Sequence, residues 1–265
     1  MKRKARIALA PIKYFESSKQ DNTERIVRCI QSAKHAKADI ICFPESCLHK
    51  KRVLSMDGPI LNEVKEACKK NSIWAIVTDD VSIQGKLYSV AVLINRKGNI
   101  AGHYKKINLY DDDTNRGREV KVFNTDFGKI GLAICWDLAF PKLFNKLKEK
   151  GAQIVFCPTW WAYEARAHKK MKHSPYEQEI ELMRSLVSSR AFENLFFVAI
   201  CNPITNWQKD DIPYSAIVSP HKIIRESINN DSLVVEDINL NEINELEKVY
   251  KNYFKRPLNR GRREK

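Results

Sequence analysis

Three polar side chains in the sequence have the types that nucleophilic catalysis needs, and each follows a predicted strand. Cys135 follows the apolar run 130–134, Glu45 follows the apolar run 40–44, and Lys106 follows a third predicted strand. A thiolate can attack an electrophilic carbon while a carboxylate takes the thiol proton and an ammonium group stabilises developing negative charge. Because α/β folds place their sites at strand ends, the sequence suggests a Glu–Lys–Cys site.

The surroundings of Cys135 add to this hypothesis. Residues 130–134 are apolar at every position, which is typical of a buried strand, and a helix is predicted over 142–150. Cys135 then lies on the turn between them. On such a turn the thiol is held rigidly, and backbone N–H groups can lower its pKa or bind an oxyanion.

Each of these residues also has a simpler interpretation. Free cysteine is among the most buried residue types, so Cys135 taken alone fits a core thiol better than a nucleophile. Glu45 fits a solvated carboxylate at the rim of a sheet, and Lys106 is one lysine among many. A Cys–His dyad is a further alternative, but none of the 6 histidines lies in a motif that indicates one.

The predicted elements must bring these side chains together. Predicted strands cover residues 6–11, 40–44, 73–78, 88–95, 100–104, 130–134, 153–157, 195–201, 214–219 and 232–235. Predicted helices begin near Asp21 and then cover 61–70, 142–150, 176–194 and 240–253, whereas 110–120 is loop-like. Strands and helices alternate, but several strands are consecutive. The pattern predicts an α/β layered sandwich with mixed sheets and a single domain over 1–265.

The net charge of the chain would allow nucleic acid or an anionic surface as a partner, but the distribution of the charged residues does not favour either. The formal net charge is +14, but lysines are spread along the chain and no basic–aromatic signature of RNA binding occurs. The one concentrated run is the tail from about residue 255, which we expect to be flexible and solvated. No apolar run approaches the roughly 18–20 residues that a membrane span needs. We therefore expect neither nucleic acid nor a membrane as a partner.

The cysteines indicate a reducing compartment. The 7 cysteines are an odd number, are scattered along the chain and form no CxxC pair. This pattern indicates neither a disulfide framework nor a zinc site. The expected location is the cytoplasm.

Five segments match, in order, the motifs of a known family. They are ADIICFPE at 38–45, YKKINL at 104–109, FGKIGLAICWDLAFP at 127–141, RAFEN at 190–194 with Cys201-Asn202, and SAIVSP at 215–220. Together they resemble the nitrilase superfamily of carbon–nitrogen hydrolases over nearly the whole chain. The resemblance implies a four-layer α-β-β-α sandwich whose subunits pair through outer helices, so that a homodimer or a higher homo-oligomer is expected.

The resemblance also implies a role for each candidate. Glu45 would be the general base and acid, Lys106 the electrostatic stabiliser and Cys135 the nucleophile. The backbone N–H of Trp136 would complete an oxyanion hole. An amide would form a tetrahedral adduct, lose ammonia or an amine, and leave a thioester that water hydrolyses. Neither a metal nor an organic cofactor is implied.

The chain departs from the family pattern at two places. The histidine of the lysine motif is replaced by Asn108, which we expect to alter loop packing more than chemistry. Many members carry a further glutamate in the loop between the lysine and cysteine motifs. Here that loop offers Asp111, Asp112, Asp113 and Glu119; Asp111, Asp112 and Glu119 remain open as the auxiliary acid.

The substrate is constrained only loosely. Members that act on acidic amides often carry an arginine four residues after the cysteine, where this chain has Ala139. The form Cys-Trp-Asp-x-x-Phe-Pro resembles the N-carbamoylputrescine amidase branch more than the ω-amidase branch. Trp160 and Trp161 either line the acyl pocket, facing a cationic or apolar chain, or pack a loop or a subunit interface.

These observations predict a thiol amidohydrolase for a small linear amide or an N-carbamoyl amine. Nitrile hydrolysis at the same site is one alternative. The other is a catalytically silent member that serves as a binding or assembly module, against which the intact Glu45, Lys106 and Cys135 argue.

Overall fold

The computed structural model describes residues 4–13, 21–49, 53–110, 113–162, 176–204 and 211–254. Its strands are β1 Lys4–Leu9, β2 Ile40–Cys42, β3 Trp74–Ile83, β4 Lys86–Ile94, β5 Ile100–Lys105, β6 Val122–Asn124, β7 Lys129–Leu132, β8 Ile154–Pro158, β9 Phe197–Cys201, β10 Tyr214–Ser219, β11 Lys222–Ile228 and β12 Val234–Asn239. Its α-helices are α1 Thr23–His35, α2 Pro59–Asn71, α3 Pro141–Glu149, α4 Tyr176–Asn194 and α5 Asn241–Phe254. The predicted basic tail lies outside the described residues.

The strands form two mixed sheets of six strands each. The first has the order β12-β1-β2-β3-β4-β5 and the second has the order β11-β10-β9-β8-β7-β6. In each sheet the three central strands are parallel, β1-β2-β3 in one and β7-β8-β9 in the other, and the outer strands pair antiparallel. The central strands are apolar on both faces because both faces are covered.

The two sheets pack face to face and each carries helices on its outer face. Strand β1 contacts β9 and β3 contacts β8, whereas α4 packs on β9 and β10. Ile26 and Ile30 of α1 and Leu61 of α2 share a buried cluster with Ile41 of β2. This is the predicted four-layer α-β-β-α sandwich, and the fold class is confirmed.

Local sequence explains several element boundaries. Helix α2 begins at Pro59, which lacks the N–H that a first helical residue would leave unpaired, and ends before Ser72 in a left-handed conformation. Gly131 allows α3 to approach β7, because a Cβ at this position would lie 2.8 Å from Leu147 Cδ2.

The predicted elements include the central strands of each sheet and the edge strand β5, whereas two other edge strands were not predicted. These are β6 and β11, whose side chains are half-buried or exposed, so their apolar pattern is weak. Strand β12 begins at Val234 rather than at residue 232 and continues to Asn239, through acidic residues that the prediction excluded. Strand β7 ends at Leu132, before residue 134. A short 3₁₀ helix, Cys135–Ala139, precedes α3.

Candidate active site

Glu45 and Lys106 form a buried ion pair between the ends of β2 and β5. The Lys106 Nζ donates to Glu45 Oε1 at 2.8 Å, and the two residues are 2% and 6% exposed. Ser89 Oγ donates to the same carboxylate oxygen at 3.4 Å. Backbone bonds hold both residues, since Glu45 N donates to Thr159 O at 3.3 Å and Lys106 N to Ser89 O at 2.9 Å. Both residues were candidates from the sequence, and the fold brings them together.

Cys135 lies on the turn between β7 and the 3₁₀ helix, as the sequence predicted. Its φ is +44°, a left-handed conformation that a non-glycine residue adopts only when its surroundings impose it. The residue is 7% exposed. The following N–H, that of Trp136, is in the first turn of the 3₁₀ helix, where N–H groups have no partner within the helix. Such an N–H is available to an oxyanion.

The backbone of Trp160 connects Cys135 to Glu45. Trp160 N donates to Glu45 Oε2 at 3.3 Å, and the Cys135 thiol donates to Trp160 O at 3.5 Å. Trp160 was predicted to contribute its indole ring, and this role of its backbone was not foreseen. The position directly after a buried strand, two residues past Pro158 of β8, was the available signal.

The charges around Cys135 act on its thiol in opposite directions. Burial first, and then the carboxylate of Glu45, raise the pKa of Cys135 well above its usual 9.0, whereas Lys106 lowers it. The thiol is therefore protonated at neutral pH. A base is needed to make it nucleophilic, and the nearby carboxylate of Glu45 is the group that can take the proton.

Asp137 joins the segment that follows Lys106 to the turn that carries Cys135. Its Oδ2 accepts from Ile134 N at 3.0 Å and from Tyr104 OH at 2.7 Å. Its Oδ1 accepts from Asn108 N at 2.8 Å and from Asn108 Nδ2 at 2.9 Å. Asp137 is fully buried. Asn108 was expected to alter loop packing more than chemistry, and the structure shows its bonds to Asp137. The role of Asp137 was not predicted.

Aromatic rings line one side of this region. The ring of Trp136 lies 4.8 Å from that of Tyr110 and 5.2 Å from that of Trp161. The indole of Trp161 donates to Glu179 Oε2 at 3.1 Å, and that of Trp160 donates to Asp211 Oδ1 at 2.7 Å. The Trp161 backbone N–H donates to Asn202 Oδ1 at 2.8 Å. The predicted aromatic residues thus lie together, fixed by carboxylates and an amide that the sequence did not indicate.

The three candidates for an auxiliary acid have different outcomes. Asp111 and Asp112 lie outside the described residues. Glu119 is exposed, and its carboxylate contacts Lys121 Nζ at 3.3 Å. Among the described residues, no group of three or more histidine, cysteine, aspartate or glutamate side chains is arranged to hold a metal ion.

Comparison with known proteins identifies the family. The model of the family described as carbon–nitrogen hydrolase matches residues 6–248. The chain belongs to the carbon–nitrogen hydrolase family. It is a member of the nitrilase superfamily, as the five motifs predicted, and it is a hydrolase that acts on amide carbon–nitrogen bonds.

Individual relatives of this carbon–nitrogen hydrolase are distant. Nitrilase homolog 2 of Dictyostelium discoideum is 26% identical over 253 residues, which cover 86% of this chain and 73% of that protein. Omega-amidase NIT2 of Homo sapiens is 24% identical over 268 residues, 91% of each chain. A mutant of the amidase from Nesterenkonia sp. AN1, with the acetamide moiety of fluoroacetamide covalently added at its active-site cysteine, has the same fold. It has a TM-score of 0.75 and 18% identity, and the match covers 94% of this chain and 96% of that chain.

None of the helices in the described part of this hydrolase has the length and apolar composition to cross a membrane.

Proposed function

We propose that this hydrolase cleaves a small linear amide or an N-carbamoyl amine through a thioester on Cys135. The observation that carries the proposal is the buried Glu45–Lys106 pair, linked to the Cys135 thiol through the backbone of Trp160. A buried ion pair is costly to keep, and such groups are concentrated at functional sites. The resemblance assigns the same three residues to catalysis.

Acylation begins with the neutral thiol. The proton of Cys135 Sγ passes to Glu45 while Sγ bonds to the carbonyl carbon of the amide. Negative charge moves onto the carbonyl oxygen, where the ammonium of Lys106 and the N–H of Trp136 stabilise it. Glu45 returns the proton to the leaving nitrogen. The C–N bond then breaks, and ammonia or an amine departs from a thioester.

Hydrolysis of the thioester repeats these steps with water. Glu45 takes a proton from water as its oxygen bonds to the thioester carbon, and the same two donors stabilise the second oxyanion. The C–S bond then breaks. The Cys135 sulfur regains its proton from Glu45, the acid product leaves, and the site returns to its starting state.

The aromatic side chains beside Cys135 support the proposal that the acyl group of the substrate is small. Trp136, Trp161 and Tyr110 present ring surface near the turn of Cys135, and buried acceptors hold the Trp161 indole and backbone in place. The alternative in which these rings only pack a loop is less well supported, because the ring cluster is centred on Trp136, which directly follows Cys135. The cysteine adduct in the Nesterenkonia amidase supports the same covalent chemistry.

Two broader expectations belong to the same proposal. We place the hydrolase in the cytoplasm because all seven cysteines are free thiols, as expected in a reducing compartment. We also propose a homodimer formed through the outer helices. Large apolar side chains are exposed on and beside α4, at Phe140, Leu182 and Phe192, and such side chains are typical of an interface.

The test is ammonia release from a panel of simple amides, ω-amides, N-carbamoyl amines and nitriles. We expect release from at least one amide or N-carbamoyl amine, and none from the same substrate with Cys135→Ala. Release from nitriles alone would replace the amide proposal. Release that persists in Cys135→Ala would rule out the thioester route. Thermal unfolding checks that the wild type and Cys135→Ala are folded, and alkylation of Cys135 by iodoacetamide in the wild type reports whether its thiol is reactive.

A further inference from the structure

A strongly basic pocket lies at the β5 edge of the first sheet, apart from the Glu45–Lys106 pair. It has a volume of about 550 Å³ and is formed by β4, β5 and residues 115–121. The basic side chains that line it are Lys86, His103, Lys105, Arg116, Arg118 and Lys121. Among the described residues that line it, Glu119 is the one acid. A pocket of this size fits a small-molecule ligand.

Strand β5 separates this pocket from the core. Tyr104 packs in the core between the sheets, so its neighbours His103 and Lys105 lie on the opposite face of the strand. The next residue, Lys106, turns inward to Glu45. The adjacent residues Lys105 and Lys106 thus face different sites. Lys105 lines the basic pocket, whereas Lys106 belongs to the candidate active site.

The backbone that carries the two arginines is fixed against the sheet. Asn115 N donates to Leu87 O at 2.7 Å, and Gly117 N donates to Lys106 O at 2.7 Å. A Cβ at Gly117 would lie 2.2 Å from Lys105 O, so the close approach requires glycine. Arg116 and Arg118 lie on either side of this contact. Their side chains therefore extend from a backbone segment that is held against the sheet.

Positive charge in the pocket is largely uncompensated. Within the part of the chain that the structure describes, Glu119 contacts Lys121 and no other carboxylate forms an ion pair with the pocket's lysines or arginines. Lys105 Nζ lies 3.8 Å above the ring of Tyr88. Burial first, and then the charges of Lys121 and Lys105, lower the pKa of His103 below its usual 6.5. A concave site with one sign of charge attracts and retains anions.

We propose that this pocket binds a small anion that carries two or more phosphate groups, such as a nucleoside triphosphate or inorganic triphosphate. Arginine forks bind phosphate oxygens in a bidentate manner, and lysines add point charges around them. Five lysine and arginine side chains line the pocket, so a ligand with a single carboxylate would neutralise only a small part of their charge. A chain of phosphates reaches several of them at once.

The surface beside the pocket continues the positive field. Arg118, Glu119 and Lys121 also line an adjoining, more open depression of about 980 Å³. Its other charged side chains are Lys129, Lys146, Glu149 and Lys150. The field of this depression steers an anion towards the pocket, whereas its open form offers few enclosing contacts. A nucleic-acid strand lying along both is the alternative that the test must separate.

The test is calorimetric titration of the full chain with sodium tripolyphosphate in about 150 mM KCl, where exposed charges are screened beyond roughly 8 Å. We expect one saturable site in the wild type. The double variant Arg116→Ala/Arg118→Ala should bind about ten-fold more weakly or worse, because two charge-assisted phosphate contacts are lost. The matched control is Arg28→Ala/Arg225→Ala, which removes two exposed arginines from α1 and β11. Its affinity should stay within about two-fold of wild type.

Three results would overturn the proposal. They are affinity unchanged in Arg116→Ala/Arg118→Ala, equal weakening in the control pair, and binding of a single-stranded RNA without binding of tripolyphosphate. Thermal unfolding checks that each variant is folded. If the double variant does not fold, Lys105→Ala serves in its place with the same expected direction. Phosphate binding is independent of amide hydrolysis, so failure of one leaves the other standing.

Discussion

A protonated thiol beside a buried ion pair defines the chemistry at the scale of single residues. Glu45 and Lys106 each compensate the charge of the other, so removal of one leaves the other charge buried without this partner. Cys135 is close enough for both charges to act on its pKa. The proposed nucleophile, base and stabiliser are therefore interdependent, and we expect substitutions among them to be strongly non-additive.

Lys106→Ala should lower kcat by about 10²–10³-fold, because an ammonium directed at the developing oxyanion is lost. The matched control is Lys105→Ala, which removes the adjacent lysine from over the ring of Tyr88. Steady-state ammonia release measures both variants. Equal losses in the two variants would mean that general surface charge, not the position of Lys106, supports the reaction.

The rate of Cys135 alkylation should rise steadily with pH up to and beyond 9, with no plateau near neutrality. Burial and the Glu45 carboxylate raise the pKa of this thiol, so the reactive thiolate is a small fraction at pH 7. Glu45→Gln removes the negative charge and should shift the profile to lower pH. Peptide mass spectrometry after iodoacetamide treatment reports this site separately from the other thiols. A wild-type plateau below pH 7 would show a stable thiolate and contradict the need for a base.

The candidate residues were predictable because each follows a strong apolar run. Strand ends in an α/β fold locate polar side chains even when their mutual distances are unknown. The backbone of Trp160 was not predictable, since any residue type offers an N–H and a C=O and only tertiary placement selects this one. Glu179 and Asp211 were missed for a related reason: each holds an indole ring distant in sequence.

At the scale of elements, Asp137 connects the segment after β5 with the turn after β7. Asn108 contributes two of its hydrogen bonds, from the backbone and from the side chain. Asn108 stands where the family has histidine, and here it donates to the aspartate. Because Lys106 and Cys135 belong to different sheets, this connection sets their relative position.

Asn108→Ala should lower kcat by about ten-fold with little change in KM, because the lysine segment loses one of its bonds to the cysteine turn and small displacements in an active site reduce rate steeply. The control is Asn115→Ala, which loses a comparable Nδ2 bond, 3.0 Å to Leu87 O, outside the site. Kinetics and thermal unfolding are measured for both. Similar kinetic effects in the two variants would assign Asn108 a structural role alone.

Edge strands show why sequence alone located the sheet centres better than their limits. The central strands are continuous apolar runs and were found, whereas β11 and β6 bury few side chains and resemble loop in sequence. Strand β12 pairs with β1 through backbone bonds, and Glu236 and Asp237 lie within it. Acidic residues in an edge strand give no apolar period from which the strand could be predicted.

At the scale of the whole molecule, the four-layer packing brings the two sheets into contact. Glu45, Lys106 and Cys135 follow strands of different sheets and come close together through this packing. The four-layer fold class was predicted from the resemblance, whereas a single domain over 1–265 stays a prediction. Exposed Leu182 and Phe192 on α4 indicate where a second copy would pack.

Leu182→Asp should convert the proposed dimer to a monomer, since a carboxylate buried in an apolar interface without a partner is strongly unfavourable. Light scattering after size-exclusion chromatography measures the mass. The control is Val53→Asp, an exposed apolar residue before α2. A wild type that elutes as a monomer, or a dimer that survives Leu182→Asp, would contradict an interface on α4.

The most direct test of the account is intact-protein mass spectrometry after acid quench during turnover of the best amide in the panel. We expect a mass increase equal to the acyl group, located by peptide mapping on Cys135 and absent from Cys135→Ala. A slower Glu45→Gln variant, if it acylates, should accumulate the same adduct. Turnover with no adduct in any of these samples, together with activity retained in Cys135→Ala, would contradict nucleophilic catalysis by this thiol.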